Sequence, residues 1–257
     1  MGEALTGVAG PILTIDRIGV RFGDFQALSD MSISVTDRTI HSVIGPNGAG
    51  KTTLFNAVTG VRPPNSGVVT FAGQVITRAS VHARVHAGMA RSFQVTNIYP
   101  NLTVFENVRL ALQARHRGES RVFWRSPAAR RDLKREAEQT LATVGIVDRL
   151  GVRAGDLSHG AQRSLEIGLA LAAKPSLICL DEPLAGMGID DVHRTKELIL
   201  GLKQRMAVLL IEHNMSVVLS ISDRVTVMAQ GKLIAEDTPD RIRTNDAVRT
   251  AYLGSQA

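Results

Sequence analysis

Apolar residues follow two spacings along this chain, and together they predict an α/β fold. Alternation marks Ile12 to Phe22 as a strand, with Ile12, Thr14 and Asp16 on one face and Leu13 and Ile15 on the other; Ala27 to Val35 follows as its partner. Four short runs, Ile40–Ile44, Leu177–Leu180, Val208–Ile211 and Val225–Met228, read as buried strands. The turn residues Pro63 to Gly67 lead into an expected hairpin, Val68–Phe71 with Val75–Thr77. Helical patterns occupy Leu54–Val58, Val104–Gln113, a long stretch from Pro127 at a first-turn position to Val144, Ser158–Lys174 and Val192–Arg205. Strands alternating with helices imply a parallel sheet covered on both faces. The composition shifts near Gln94 and turns helical from Leu102 to about Asp156. The expected organisation is one unit over 1–257: a catalytic core at about 11–94 and 159–257, an antiparallel β subdomain at its nucleotide end, and an inserted helical subdomain at about 95–158. No repeat or low-complexity segment interrupts it.

Composition narrows this picture without redirecting it. With 257 residues, 44% of them hydrophobic, the chain has ample material for a buried core. Met1 to Gly10 carries Glu3, no Lys or Arg and no long apolar stretch, so it is not expected to be a secretory signal. No 18 apolar residues run together, so any membrane role is expected to pass through a partner. The single cysteine, Cys179, lies in a predicted buried strand and is expected to be inert, in keeping with a reducing cytoplasm. The net charge of +6 concentrates in Arg115, Arg117, Arg121, Arg125, Arg130, Arg131, Lys134 and Arg135. Only 4% of residues are aromatic, too few for a base-stacking module, so no nucleic-acid partner is expected. The basic cluster reads as a solvated helical face; with Phe123 and Trp124 beside it, a surface near anionic lipid headgroups is the other reading.

The chemistry begins at Gly45-Pro46-Asn47-Gly48-Ala49-Gly50-Lys51-Thr52-Thr53, between a predicted strand and a predicted helix. Glycines let successive N–H groups point into one cavity, where they and the helix N-terminus hold phosphates. Lys51 then reaches the β and γ phosphates, and the Thr52 hydroxyl holds Mg²⁺. The run Leu177–Leu180 ends in Asp181 and Glu182, which suit a Mg²⁺ partner and a base that activates water. His213 closes the run Val208–Ile211 in the same topological place, where it can hold the attacking water in line. Gln94 offers a neutral amide to Mg²⁺ or water at the hinge into the helical segment. Phe22, just before Gly23, is either a stacking surface for adenine or an ordinary core residue. Ser158, followed by His159 and Gly160, caps a helix whose N-terminus is a second anion site with no use nearby.

In this order and spacing, Phe22, the phosphate loop, Gln94, Leu157-Ser158-His159-Gly160, Asp181-Glu182 and His213 make the chain resemble the nucleotide-binding subunits of ABC transporters nearly end to end. Arg91-Ser92-Phe93-Gln94, Glu212-His213-Asn214-Met215 and Ala251-Tyr252-Leu253-Gly254 are similar to subunits that energise branched-chain amino-acid import; urea importers look close too. The resemblance implies a P-loop NTPase fold of the ABC type, ATP and Mg²⁺ as ligands, and ATP hydrolysis. It implies a head-to-tail pair with a second cassette subunit, identical or merely similar, in which Ser158, His159 and Gly160 close over the partner's ATP. It further implies two membrane permease subunits, an extracytoplasmic solute-binding protein, and a peripheral place on the cytoplasmic face of the inner membrane. A soluble cassette acting on DNA or ribosomes, or a subunit of little turnover serving as a switch, are the other readings. His159, Ala161 and Gly188 depart from the family's usual glycine, glutamine and Asp or Asn, which puts the partner's site, rather than this chain's own, in doubt.

Overall fold

A computed structural model describes residues 10–92, 98–115 and 127–253, with the backbone alone at 127–130 and 253. Two sheets organise the chain. In the first, β1 (Pro11–Phe22), β2 (Phe25–Thr36), β4 (Ser66–Phe71) and β5 (Gln74–Val75) are antiparallel in the order β2-β1-β4-β5. The second contains β3 (Ile40–Ile44), β6 (Met89–Arg91), β7 (Leu177–Asp181), β8 (Ala207–Ile211), β9 (Arg224–Ala229) and β10 (Lys232–Asp237), in the order β10-β9-β3-β8-β7-β6. Its pairs are parallel except β9 with β10. Every residue of β3, β7 and β8 is buried, as a parallel sheet covered on both faces requires.

Because side chains alternate along a strand, each central strand feeds two cores. Ile178 and Leu180 of β7, with Val208 and Leu210 of β8, face the helices; Leu177, Cys179, Leu209 and Ile211 face the antiparallel sheet and helix α1 (Lys51–Thr59). On the helical side α3 (Val104–Arg115), α4 (Pro127–Thr143) and α5 (His159–Leu171) pack together through Val104, Val108, Leu112, Ala137, Leu141 and Leu165, and this apolar cluster is continuous with the sheet face. Arg115 bonds the Ala172 carbonyl and pairs with Glu136 at 2.9 Å, so one member of the basic cluster is a tie between helices. Arg117, Arg121, Phe123, Trp124 and Arg125 lie outside the described residues.

The expected helices 158–174 and 192–205 are His159–Leu171 and α6 (Ile189–Leu202). The first stops early because Lys174, which precedes Pro175, is held at φ 50°, outside helical space. The second starts early on Asp190 and Asp191, acids suited to a helix N-terminus. The short elements α2 (Val81–His86), β6, α7 (Met215–Ile221), α8 (Pro239–Arg243), α9 (Asp246–Leu253) and β10 were not anticipated. No described helix is long and apolar enough to cross a membrane.

Candidate nucleotide site

Register places the chemistry. Val43 pairs with Ile211, and Ile211 pairs with Asp181, so β3, β8 and β7 end in one row. The loop from Gly45 follows the first, Glu212-His213 the second and Glu182 the third. This is the carboxyl edge of a parallel sheet, where ligands of such folds gather. The loop fits closely: a Cβ on Gly45 would lie 2.2 Å from the Met228 carbonyl oxygen, so only glycine permits the approach. Gly50, at φ 95°, caps α1 and turns the chain into it without a side-chain bond. A cleft of about 540 Å³ opens over the loop, lined by Phe25, Asn47, Gly48 to Thr53, Glu182 and Gln230-Gly231.

Lys51 is 8% exposed and donates to the Gly45 and Pro46 carbonyls at 2.7 and 3.0 Å. Burial pushes its ammonium below the usual lysine range, against the pull of Glu182 and Asp181. The fold thus hydrogen-bonds a cation at the loop to neutral carbonyls, which an anionic phosphate can replace. The Thr52 side chain lies at the open face of α1, in the lining of the same cleft.

Asp181 is wholly buried, and burial raises its carboxyl above the usual range, with Arg91 opposing. Arg91 bonds one carboxylate oxygen, Oδ2, at 3.4 Å; Oδ1 has no partner among the described residues. A buried carboxylate oxygen without a donor is costly unless a cation completes it. Asp181 and the Thr52 hydroxyl are hard oxygen donors of the kind Mg²⁺ takes beside phosphate, so the residues present fit that ion.

Glu182 is held at φ 46° by the bond from its N–H to the Ile211 carbonyl, an uncommon conformation for a non-glycine residue. Its side chain is 31% exposed in the cleft, 3.9 Å from His213 Nδ1. His213 Nδ1 is equally 3.9 Å from Glu212, a buried acid that accepts from the N–H groups of Leu184 and His213 and whose carboxyl burial raises. Glu212 therefore fixes the two loops that carry Glu182 and His213.

Of the residues expected in the site, the structure brings together the loop, Asp181, Glu182 and His213. Gln94 lies outside the described residues. Phe22 does not line the cleft: the Arg62 guanidinium lies 3.9 Å over its ring, and Phe25, its partner across the β1–β2 turn, lines the cleft instead. Ser158 caps α5, its hydroxyl accepting from the Ala161 N–H at 3.4 Å, and His159 is exposed. Ser158 and Gly160 line a second cleft, of about 530 Å³, which shares no residue with the first.

Arg91, Arg163, Glu212 and Phe25 have no role on the sequence reading. Arg91 joins α1 to β7 by donating to Asn56 and Thr59 at 2.8 and 2.9 Å while holding Asp181. Arg163, paired with Glu166 at 2.6 Å, donates to the backbone carbonyls of Asp181 and Glu182 from the first turns of α5. Near the end of the described chain the half-buried Tyr252 phenol, pushed up to about 12 by desolvation, hydrogen-bonds the backbone of Gly45. For Arg91 and Glu212 the signal was adjacency to Gln94 and His213; nothing local marks Arg163 or Phe25.

A sheet of this order, with a phosphate loop on a central strand and Asp181-Glu182 on the strand beyond its neighbour, defines a P-loop NTPase. Residues 28–185 match the family model described as ABC transporter, and the chain belongs to that family as an ATP-binding cassette. Residues 232–257 match a second model, branched-chain amino acid ATP-binding cassette transporter. The chain is 37% identical to the high-affinity branched-chain amino acid transport ATP-binding protein BraF of Pseudomonas aeruginosa, over 95% of this chain and 98% of that one. The same coverage holds for the Haemophilus influenzae lipopolysaccharide export system ATP-binding protein LptB, at 34% identity. Among solved structures, the ADP conformation of an ATP-binding cassette from an ABC transporter superposes with a TM-score of 0.83 at 31% identity, over 95% of this chain and 99% of that one.

Proposed function

We propose that this chain is the ATP-hydrolysing subunit of a membrane importer for branched-chain or related amino acids. The observation that carries the hydrolytic reading is the row of strand ends that sets the loop with Lys51, Asp181, Glu182 and His213 along one edge of the sheet, with Lys51 and Glu182 in the lining of one cleft. The C-terminal match at 232–257 favours the amino-acid branch over an export system, since the cassette core alone is about as similar to one as to the other.

In this reading the loop amides and Lys51 hold the triphosphate, with Lys51 exchanging its two carbonyl partners for phosphate oxygens. Asp181 and Thr52, with Gln94, would hold Mg²⁺, which would supply charge neutralisation to the phosphates. Glu182 takes a proton from the attacking water, and His213 keeps that water in line. Phe25 replaces Phe22 as the ring offered to adenine. Ser158, His159 and Gly160 serve the ATP of a second cassette subunit. Gln94 senses the γ-phosphate where the core gives way to the helical segment at about 95–158. The pair works beneath two permease subunits at the cytoplasmic face of the inner membrane, with solute delivered by an extracytoplasmic binding protein.

Glu182→Gln tests the assignment. Nucleotide affinity stays within a few-fold, while turnover of the reconstituted transporter falls by about 10²-fold or more, the scale of losing a general base. Near-normal turnover would remove Glu182 from the chemistry. Copurification with permease subunits supports transport, whereas copurification with ribosomes or DNA would move the chain to a soluble branch of the family.

A further inference from the structure

Helix α2 carries two imidazoles one turn apart on its outer face, far in function from anything described above. His82 and His86, both exposed, have their Nε2 atoms 2.9 Å apart and their rings nearly perpendicular, 88° between planes with centroids at 4.2 Å. One Nε2–H donates to the other Nε2, so the two rings already meet on one side of the helix. We propose that His82 and His86 form a binding site for a divalent transition-metal ion of square-planar or octahedral preference, nickel(II) or copper(II) in class.

The donor set decides the class of ion. Two imidazole nitrogens completed by water oxygens are the N,O set that copper(II) and nickel(II) take in tetragonal geometry, whereas zinc(II) prefers sites closed by three or four protein ligands. The 2.9 Å separation is that of the hydrogen bond between the rings, which the ion replaces. Histidines at i and i+4 on a helix are a recognised bidentate pair because one turn brings both rings to the same side. In the ligated form both rings carry their proton on Nδ1, and rotation about χ2 turns both Nε2 lone pairs outward to the ion.

The support beneath the pair is rigid. Between the two histidines Arg84 turns inward, 1% exposed, and donates to the carbonyls of Ala57, Val58, Ile76, Thr77 and Ala79. Ser80 caps the helix from the other end by accepting from the Ala83 N–H at 3.2 Å. Helix α2 has only six residues, too few to persist on propensity alone, so its registry is imposed by this anchoring. The helix face that carries the two imidazoles is thereby held in place in the absence of an ion. No cluster of three or more metal-ligating side chains occurs among the described residues, so water fills the remaining positions. Two protein ligands put the dissociation constant at about 1–100 µM, weaker than a closed four-ligand site.

The test is calorimetric titration of the untagged, nucleotide-free full chain with nickel chloride, and separately with zinc chloride. One nickel equivalent binds in the micromolar range. His82→Ala and His86→Ala each weaken it at least about tenfold, and His193→Ala leaves it unchanged. Saturating nickel raises the melting temperature of the wild-type chain by about 2 °C or more, and the gain disappears in either variant. Zinc binds more weakly than nickel at the same pair. His82→Gln and His86→Gln, which keep a polar side chain at these exposed positions, guard against a folding defect and lose the ion as the alanine variants do. Nickel binding absent at millimolar metal, or undiminished in both single variants, overturns the site; tighter binding of zinc than nickel overturns the coordination geometry assigned to it. The ATPase reading plays no part in either outcome.

Discussion

His41 is a residue whose environment sets its charge. It sits on β3, 1% exposed, with Nε2 2.8 Å from the Thr226 hydroxyl, which itself bonds Glu236 at 3.1 Å. His41 also hydrogen-bonds the Ser34 backbone. Burial first, and Arg224 second, lower its pKa from 6.5 to about 4. Since the unfolded chain binds a proton at the higher pH, this group's contribution to stability is complete above pH 6.5 and is lost as pH falls toward about 4. Between pH 7 and pH 5 the loss is about 2 kcal/mol. Urea denaturation of wild type and His41→Gln at both pH values checks this: the variant is less pH-dependent by that amount, and equal slopes would contradict a buried neutral histidine. None of this was legible in the sequence, where His41 merely interrupts an apolar run. By contrast Asp181, Glu182 and His213 were legible, because each ends an apolar run and position at a strand end already constrains role. Phe22 and Phe25 flank the same Gly23-Asp24 turn and pair with each other, so which of them lines the cleft depends on how the turn sits against the phosphate loop, which no local pattern encodes.

At the scale of elements, the phosphate-loop helix is held from both ends. Its N-terminus is the loop, and its C-terminal carbonyls, Ala57 and Val58, accept from Arg84 of α2. Gly60 makes room for that guanidinium: a Cβ there would lie 2.7 Å from Arg84 Nε. A buried cation normally needs an acid; here five carbonyls and the negative end of α1 stand in for one. Arg84→Met keeps the apolar stem and removes the donors, leaving carbonyls buried without partners at about 1–3 kcal/mol each. The expected result is a loss of about 3 kcal/mol or more in denaturant-derived stability, with weaker nucleotide binding because α1 carries Lys51. A loss under about 0.5 kcal/mol would mean that water or side chains replace those bonds. The long elements were readable from periodicity alone. Helix α2 and strand β6 were not, since six and three residues are too few to show a period and their placement comes from Arg84 and the edge of β7.

For the molecule as a whole, the two clefts pose the question of assembly. One holds the phosphate loop and Glu182; the other holds Ser158 and Gly160, and the two share no lining. A helix N-terminus facing a cleft of its own has nothing to bind within this chain if ATP sits on the loop, but the proposed head-to-tail pairing would set each loop opposite another chain's α5. If turnover needs both halves, defects on opposite halves complement. Glu182→Gln spoils a chain's own loop site, and Ser158→Arg spoils the site of its partner. Either variant alone forms pairs in which both sites are defective. A mixed pair has one site with both defects and one site with neither. In an equimolar mixture half the pairs are mixed, each with one intact site of two, so ATPase activity rises from near the background of either variant toward about a quarter of wild type. The readout is phosphate release from the mixture against the two variants measured separately at the same total concentration. A mixture no more active than the mean of its components would mean that each chain completes its own site, and the second cleft would need another ligand.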